Sequence, residues 1–336
     1  MEPEKLDAGD SPDASVIVVS FNTRDLLREC LLTLQREAGD TTYETIVVDN
    51  ASSDGSADMV AAEFPEARLI RNKINLGFAA ANNRAYEVAR GRYIILLNSD
   101  AFLRPGALRL SIGHMDANPS AGLGGGRLVG RDGSWQPSAR MYPSLLNNLL
   151  MMSGLAAKYP ASRLLGRMDR TWADQLLPAQ VDWVPGAYNI IRRSVLDKIG
   201  FFDERFFLYY EEVDLCRRVR AAKSEVWYWP DIVVEHIGGE SAKTIKDTAT
   251  VSSGSKIELW RMRAGLLYFR KHHGNFGALA SMLLDKWWYR LRALRNSWSK
   301  SAQRKARVAN FEMAIATLKQ AWRDTEGGTT SPPRPW

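Results

Sequence analysis

Cysteine is nearly absent: Cys30 and Cys216 are the only two in 336 residues. They stand far apart in segments of helical pattern. That excludes a disulfide framework and fits reduced core thiols in a cytosolic setting. No uninterrupted apolar run approaches the roughly 20 residues a membrane-spanning helix needs. The opening stretch Met1-Glu-Pro-Glu-Lys-Leu-Asp7 is acidic and polar, so a secretory signal is not expected. There is no P-loop and no G-x-S-x-G nucleophile elbow. Gly122-Leu-Gly-Gly-Gly-Arg127 lacks the third glycine of a dinucleotide-binding fingerprint and follows the fourth strand-like run rather than the first; it reads as a turn.

With 45% hydrophobic and 25% charged residues, the chain has the composition of an ordinary globular protein. Its length suits one large domain with an appendage. The net charge of +7 is unevenly spread. Residues 255–323 hold 15 Lys and Arg against 3 Asp and Glu, a net +12, whereas residues 1–254 come to −4. Two apolar stripes run through the basic segment: Phe276, Leu279, Leu283, Trp287, Leu291, Leu294 and Trp298, then Val308, Phe311, Ile315, Leu318 and Trp322. Spacings of three and four mark amphipathic helices. They suit docking onto the main domain or a partner helix, or contact with an anionic membrane surface through residues 276–323. Lys286, Arg290, Arg292, Arg295 and Lys300 around Trp287-Trp288-Tyr289 favour the membrane. No nucleic-acid-binding motif accompanies the charge, so nucleic acid is not expected.

The first hundred residues alternate between two patterns. Ser15–Ser20, Thr45–Asp49, Ala67–Arg71 and Tyr93–Leu97 are short runs with little polar alternation, as buried strands are. Thr23–Arg36, Ala57–Phe64 and Phe78–Arg90 read as helices between them. This predicts an α/β fold with a doubly wound, mostly parallel sheet. From about 118 to 180 the pattern weakens. It returns with strand-like Val181–Gly186 and Tyr188–Ile191, a helix near Arg193, a helix over Glu212–Ala222, and strand-like Val226–Trp229 and Ile232–Glu235.

In open sheets of this kind ligands sit beyond the carboxyl ends of the strands. Asp49 and Asp100 both fall at such ends and should face one crevice. Asp49 opens a turn rich in capping residues, and from that position it can also accept a hydrogen bond from a nucleotide base. Asn98-Ser-Asp100 is either a strand exit or a variant of the Asp-x-Asp element that holds a divalent cation against a diphosphate. Asn75, Gly77 and Asn82 serve backbone geometry or contact a ribose and phosphates. Glu211, Glu212 and Asp214 cluster between an aromatic run and a basic helix, and His236 follows a strand.

The ordered set Val16-Ile-Val-Val-Ser-Phe-Asn22, Val48-Asp-Asn-Ala-Ser-Ser-Asp-Gly-Ser56, Asn75-Leu-Gly-Phe-Ala79, Leu97-Asn-Ser-Asp100, Gly186-Ala-Tyr-Asn-Ile-Ile-Arg192 and Glu211-Glu-Val-Asp-Leu-Cys-Arg-Arg218 resembles the family 2 glycosyltransferases of the GT-A fold, most of all bacterial rhamnosyltransferase-like members. The resemblance covers about residues 14–275. It implies that Asp49 binds a pyrimidine base, Asp100 ligates Mn²⁺ or Mg²⁺, His236 completes the metal site and Glu212 is the catalytic base. Ser20, Asn22, Asn75, Gly77, Asn82, Asn98 and Ser99 would line the nucleotide-sugar site, with Trp183 and Gly186 on the acceptor side. Two departures stand out. Asn98 replaces the first acid of Asp-x-Asp, and Glu212 stands where Asp is usual, so Glu211 or Asp214 could take the base role.

The implied reaction is an inverting transfer from a nucleoside-diphosphate sugar, dTDP-rhamnose or a UDP-sugar, to a glycan or polyprenyl-linked glycan. It would take place on the cytoplasmic face of a bacterial inner membrane, in surface polysaccharide synthesis. A sugar nucleotidyltransferase and a non-catalytic scaffold of the same fold are the alternatives. The expected organisation is a disordered leader (1–13), a transferase domain (14–254, with a nucleotide half 14–117 and an acceptor half 118–254), a basic helical segment (255–323) and a flexible tail (324–336).

Overall fold

The computed structural model describes residues 11–238, 255–298 and 301–332. The first half alternates as β1 (Ala14–Ser20), α1 (Arg24–Glu37), β2 (Tyr43–Asp49), α2 (Ser56–Glu63), β3 (Arg68–Arg71), α3 (Phe78–Tyr86) and β4 (Tyr93–Leu97). Then come β5 (Ala101–Leu103), α4 (Ala107–Ala117), β6 (Ala121–Val129), β7 (Trp135–Gln136), α5 (Leu145–Ser153), α6 (Leu155–Lys158), β8 (Ala179–Gln180), β9 (Tyr188–Arg192), α7 (Arg193–Ile199), α8 (Glu211–Ala221) and β10 (Glu225–His236). Two long helices follow, α9 (Lys256–Ser297) and α10 (Ala302–Asp324).

One sheet runs in the order β3-β2-β1-β4-β9-β6-β10-β5. Neighbours from β3 to β4 are parallel, β9 is antiparallel to both β4 and β6, and β6 and β10 are parallel again. Side chains alternate across each strand, so each strand serves two cores. Ile17, Ile46 and Ile94 join α3, α8 and α9 on one face. Val16, Val18, Val47 and Ile95 join α1, α2 and α4 on the other. Burial on both faces is why these strands lack polar alternation. Each such side chain contributes roughly 1.5–3 kcal/mol.

The glycine run 122–127 is the interior of β6, not a turn. A Cβ on Gly124 would lie 1.9 Å from the Trp229 ring, and one on Gly126 would lie 2.5 Å from the Ile232 carbonyl oxygen. Glycine is required there because β10 and its tryptophan press onto β6. The two strand-like pieces at 226–235 are one strand, β10, whose register against β6 shifts between Trp229 and Val233, at Pro230. Helix α3 ends at Tyr86, short of the Arg90 expected.

Helix α9 is kinked at Gly274, whose φ of 69° is left-handed. Before the kink, Trp260, Leu267, Tyr268 and Phe269 are buried. Helix α10 packs back along α9, and Arg263 pairs with Asp324. The tail expected to be flexible is packed where it is described: Thr325 is buried, and a Cβ on Gly328 would meet the Leu266 carbonyl oxygen at 2.4 Å. Residues 333–336 lie outside the described residues, as do residues 1–10 of the expected leader and Lys300 of the basic stripe. Among the described residues, no helix is long and apolar enough to cross a membrane.

Candidate active site

The carboxyl ends of β1 and β2 lie side by side, with Ser20 in register with Asp49. Asp49 is 4% exposed; its Oδ2 accepts from the Ser52 N–H at 3.2 Å, and its Oδ1 is buried with no hydrogen-bond partner among the described residues. A buried orphan acceptor costs about 1–3 kcal/mol, so the position favours an incoming N–H donor such as that of a pyrimidine. The turns here are held in left-handed backbone at Asn22 (φ 53°) and Ala51 (φ 68°), a conformation that non-glycine residues adopt at a cost. Asn22 Oδ1 accepts from the Ser53 N–H at 2.7 Å, which ties the two turns together. Ser20 and Thr23 share a 3.0 Å hydrogen bond, and Thr23 Oγ1 donates to Ser99 Oγ at 2.9 Å.

Asn75 accepts from Asn50 at 2.9 Å and from the Gly77 N–H at 2.8 Å. Gly77 (φ 84°) has no room for a side chain, because a Cβ would stand 2.4 Å from the Phe207 carbonyl oxygen. The Phe78 N–H donates to that same oxygen at 2.8 Å, so the nucleotide half is stitched to the loop leading into α8. Asn82 donates to the Phe78 carbonyl, while its Oδ1 is buried and without a partner among the described residues.

Asp100 and His236 stand across from each other, with Asp100 Oδ1 3.5 Å from His236 Nε2. Gln136 on β7 sets the imidazole. Its Nε2 donates to the His236 carbonyl at 2.7 Å, so its Oε1, 3.0 Å from Nδ1, must accept. The ring proton therefore sits on Nδ1, and the Nε2 lone pair faces the carboxylate. Burial depresses the His236 pKa, against the pull of Asp100, which favours the neutral ring. A carboxylate oxygen and an imidazole nitrogen 3.5 Å apart are donors of the kind that ligate divalent cations. Among the described residues no cluster of three His, Cys, Asp or Glu could hold a metal by itself.

Helix α8 begins at the acid pair, after Tyr209 (φ 72°) and Tyr210 (φ 68°), two successive left-handed residues. Glu211 is held well above the usual carboxylate range by burial and then by the charge of Glu212. Burial also raises Glu212, while Arg140 pulls it down. The Oε2 atoms of both are buried without hydrogen-bond partners among the described residues. Glu212 lies against Gly186, whose Cβ position is 3.7 Å from Glu212 Cβ. The next carbonyl, Ala187, accepts from the Asn98 N–H at 3.0 Å. The acid pair is thereby joined through Gly186-Ala187 to Asn98-Ser99-Asp100, and through Ser99 and Thr23 to Ser20 and Asp49.

Asp214 is differently placed. It is fully buried, with His272 at 2.8 Å, Lys271 at 2.7 Å and Arg218 at 2.8 Å. Burial alone would raise its pKa, but these cationic and imidazole partners hold it below the usual value. It ties α8 to α9 and is not poised to take a proton. Trp183 is 5% exposed, its indole N–H donates to the Met141 carbonyl at 2.9 Å, and the Arg140 guanidinium lies 4.5 Å from its ring centre. It is a platform for Arg140, which also pairs with Asp169 at 2.5 Å. Arg140 and Gln136 were not legible as site residues, because the segment around them carries no periodicity and no acid at a strand end.

The description "Glycosyl transferase family 2" matches residues 15–200. An N-acetylglucosaminyl-diphospho-decaprenol L-rhamnosyltransferase of Mycobacterium tuberculosis is 30% identical over 234 residues, covering 66% of this chain and 75% of that protein. Succinoglycan biosynthesis protein ExoO of Rhizobium meliloti is 36% identical over 118 residues, 35% of this chain and 33% of that one. A solved mannosyltransferase of Pyrobaculum calidifontis, in complex with GDP-Man and Mn²⁺, superposes with a TM-score of 0.52 at 16% identity, covering 95% of this chain and 89% of its own; that likeness concerns the fold. The family match over residues 15–200 and the rhamnosyltransferase relative set the nucleotidyltransferase alternative aside. The chain belongs to glycosyl transferase family 2, has the GT-A fold, and is a glycosyltransferase.

Proposed function

We propose that the chain is an inverting transferase that moves a sugar from a dTDP- or UDP-sugar to a hydroxyl of a polyprenyl-linked glycan, and that it works as a peripheral protein at the cytoplasmic face of the inner membrane. Rhamnose is the favoured sugar and a prenyl-diphosphate-linked N-acetylglucosamine the favoured acceptor, since the Mycobacterium relative is named for both. The observation that carries the reading is the acid pair Glu211–Glu212, with Glu212 packed against Gly186, whose neighbour Ala187 accepts a hydrogen bond from Asn98, two residues before Asp100 of the Asp100–His236 pair.

In this reading Asp49 takes the base N–H on its orphan Oδ1. Asn75, Asn82 and the turns at Ser20 and Asn22 hold ribose and phosphates, with Gly77 keeping Phe207 close. Asp100 and His236 Nε2 would hold Mn²⁺ or Mg²⁺, which when bound supplies Lewis-acid stabilisation to the departing diphosphate. Glu211 keeps its proton in the buried pair, and this leaves Glu212, the carboxylate facing Arg140, to remove the acceptor hydroxyl proton as the new glycosidic bond forms. Gly186 leaves space beside Glu212 for the acceptor. Arg140, propped on Trp183, pulls the Glu212 carboxyl down against the effect of burial.

The test is nucleoside-diphosphate release from a panel of dTDP- and UDP-sugars, with and without a prenyl-diphosphate-linked acceptor. The Glu212→Gln variant is expected to lose about 10²–10⁴ in turnover while keeping nucleotide affinity. Near-normal turnover would remove Glu212 from the base role. Donor cleavage indifferent to every glycan acceptor would sink the transfer reading.

A further inference from the structure

Beyond the kink at Gly274, helix α9 has two unlike faces. Gly277, Ala278 and Ser281 are buried against the body of the protein. On the other side Phe276 is 82% exposed, Leu283 48%, Trp287 54%, Leu291 42%, Leu294 59% and Trp298 87%. Steps of three and four residues put these side chains on one line about 33 Å long, at 1.5 Å per residue. A contiguous apolar face of that length is not left bare on a soluble protein without a use.

Charge narrows what covers it. From residue 286 to 311 the sequence has eight Lys or Arg and no carboxylate. At 3.6 residues per turn Lys286 and Arg290 border one side of the line and Arg295 the other, and both arginines are exposed. The nearest acid, Asp285, is turned toward the opposite face, where burial pushes its carboxyl up to about 7. A second copy of this chain would set like charge against like charge, with no acid between. The unbroken straight stripe, with tryptophans in its middle and at its end and arginines along its edges, fits a planar boundary between hydrocarbon and anionic headgroups.

We infer that the outer face of α9 from Phe276 to Trp298 lies in the headgroup layer of an anionic phospholipid bilayer, with the helix axis in the membrane plane. The consequence for catalysis rests on the transferase reading above; the binding itself does not. Lys271 and His272, immediately before the kink, hold Asp214 of α8. Helix α5 packs on α9, and the Tyr268 hydroxyl donates to the Pro143 carbonyl at 3.5 Å. Binding through α9 therefore fixes the acid pair of α8 relative to the membrane, where a lipid-linked acceptor diffuses.

The full chain is sedimented with vesicles of phosphatidylcholine alone and of phosphatidylcholine with phosphatidylglycerol. Binding is expected only to the anionic vesicles and is expected to fall with salt. The double variant Leu283→Glu, Trp287→Glu is expected to weaken it about tenfold or more. The charge variant Arg290→Ala, Arg295→Ala is expected to weaken it and flatten the salt dependence. Arg36→Glu, on α1, is expected to leave binding unchanged. Thermal unfolding and nucleotide binding report on the fold of each variant. No binding by the unaltered chain, equal binding to neutral vesicles, or undiminished binding by the Leu283/Trp287 variant would overturn the inference. So would a dimer of the free chain that the same two substitutions dissociate. Transfer to a water-soluble acceptor, assayed without vesicles, separates failure of membrane binding from failure of the transferase reading.

Discussion

Glu212 titrates under opposed influences: burial raises its carboxyl, while backbone hydrogen bonds and the charge of Arg140 lower it. If Glu212 is the base, it must be ionised to act, so turnover should rise with pH through this group, with an acid limb above the ordinary carboxylate range. Removing the guanidinium takes away one of the groups that oppose burial and leaves only the backbone hydrogen bonds. Arg140→Gln is therefore expected to shift the acid limb of the rate profile to higher pH, whereas Arg140→Lys keeps the charge and the limb near its original place. A profile in Arg140→Gln that overlays the unaltered enzyme would separate Arg140 from the base. Gln136 acts on the other centre. By accepting from His236 Nδ1 it would leave Nε2 available to the cation of the proposed site, and such partners typically change metal affinity about 10–100-fold. Gln136→Leu should weaken Mn²⁺ binding by that order, read by electron paramagnetic resonance with UDP present and without any acceptor. Unchanged affinity would make Gln136 a strand partner and nothing more.

Helix α8 carries the acid pair on its first turn, and α9 sets its position. Asp214 meets three cationic or imidazole groups in a fully buried place, two of them from α9. Truncating one member of such a cluster leaves charge unpaired, at a cost of about 3–5 kcal/mol. Asp214→Ala should lower unfolding free energy in urea by that order. A loss under 1 kcal/mol would mean the cluster is solvated in the folded protein. At this scale the sequence was legible wherever hydrophobic period decides the element. Strands β1 to β4 and helices α1 and α8 carry their own pattern, and Asp49, Asp100 and Glu212 stand at their ends. It misled where a residue serves a distant neighbour. The glycines of β6 look like a turn because glycine usually supplies backbone freedom; here they supply room for Trp229 and Ile232, which lie a hundred residues later. Arg140 and Gln136 have no periodic context at all, and their roles come only from the β6–β7 pairing and the bridge between Arg140 and Trp183.

Across the whole molecule the proposed site draws on both halves of the chain. Asp49 and Asp100 come from the parallel half, and His236 and the acid pair from the mixed half. In the proposed site Asp100 and His236 are offered to the cation and no third acidic, histidine or cysteine ligand stands near them among the described residues, so the diphosphate would complete the shell. Metal and nucleotide then bind as one unit, and linkage makes their help mutual: the factor by which Mn²⁺ tightens UDP or dTDP equals the factor by which the nucleotide tightens Mn²⁺. Calorimetry in both orders should give weak Mn²⁺ binding to the free protein and a gain of at least tenfold with nucleoside diphosphate present, about 1.4 kcal/mol of coupling. Nucleoside monophosphate should give less, because it lacks the second phosphate to share. Asp100→Asn should abolish the coupling while leaving the contact between the base and Asp49 in place, so that metal-free nucleotide affinity survives. Strong Mn²⁺ binding without nucleotide would require further protein ligands and would contradict a two-ligand site; coupling that persists in Asp100→Asn would move the cation elsewhere in the crevice.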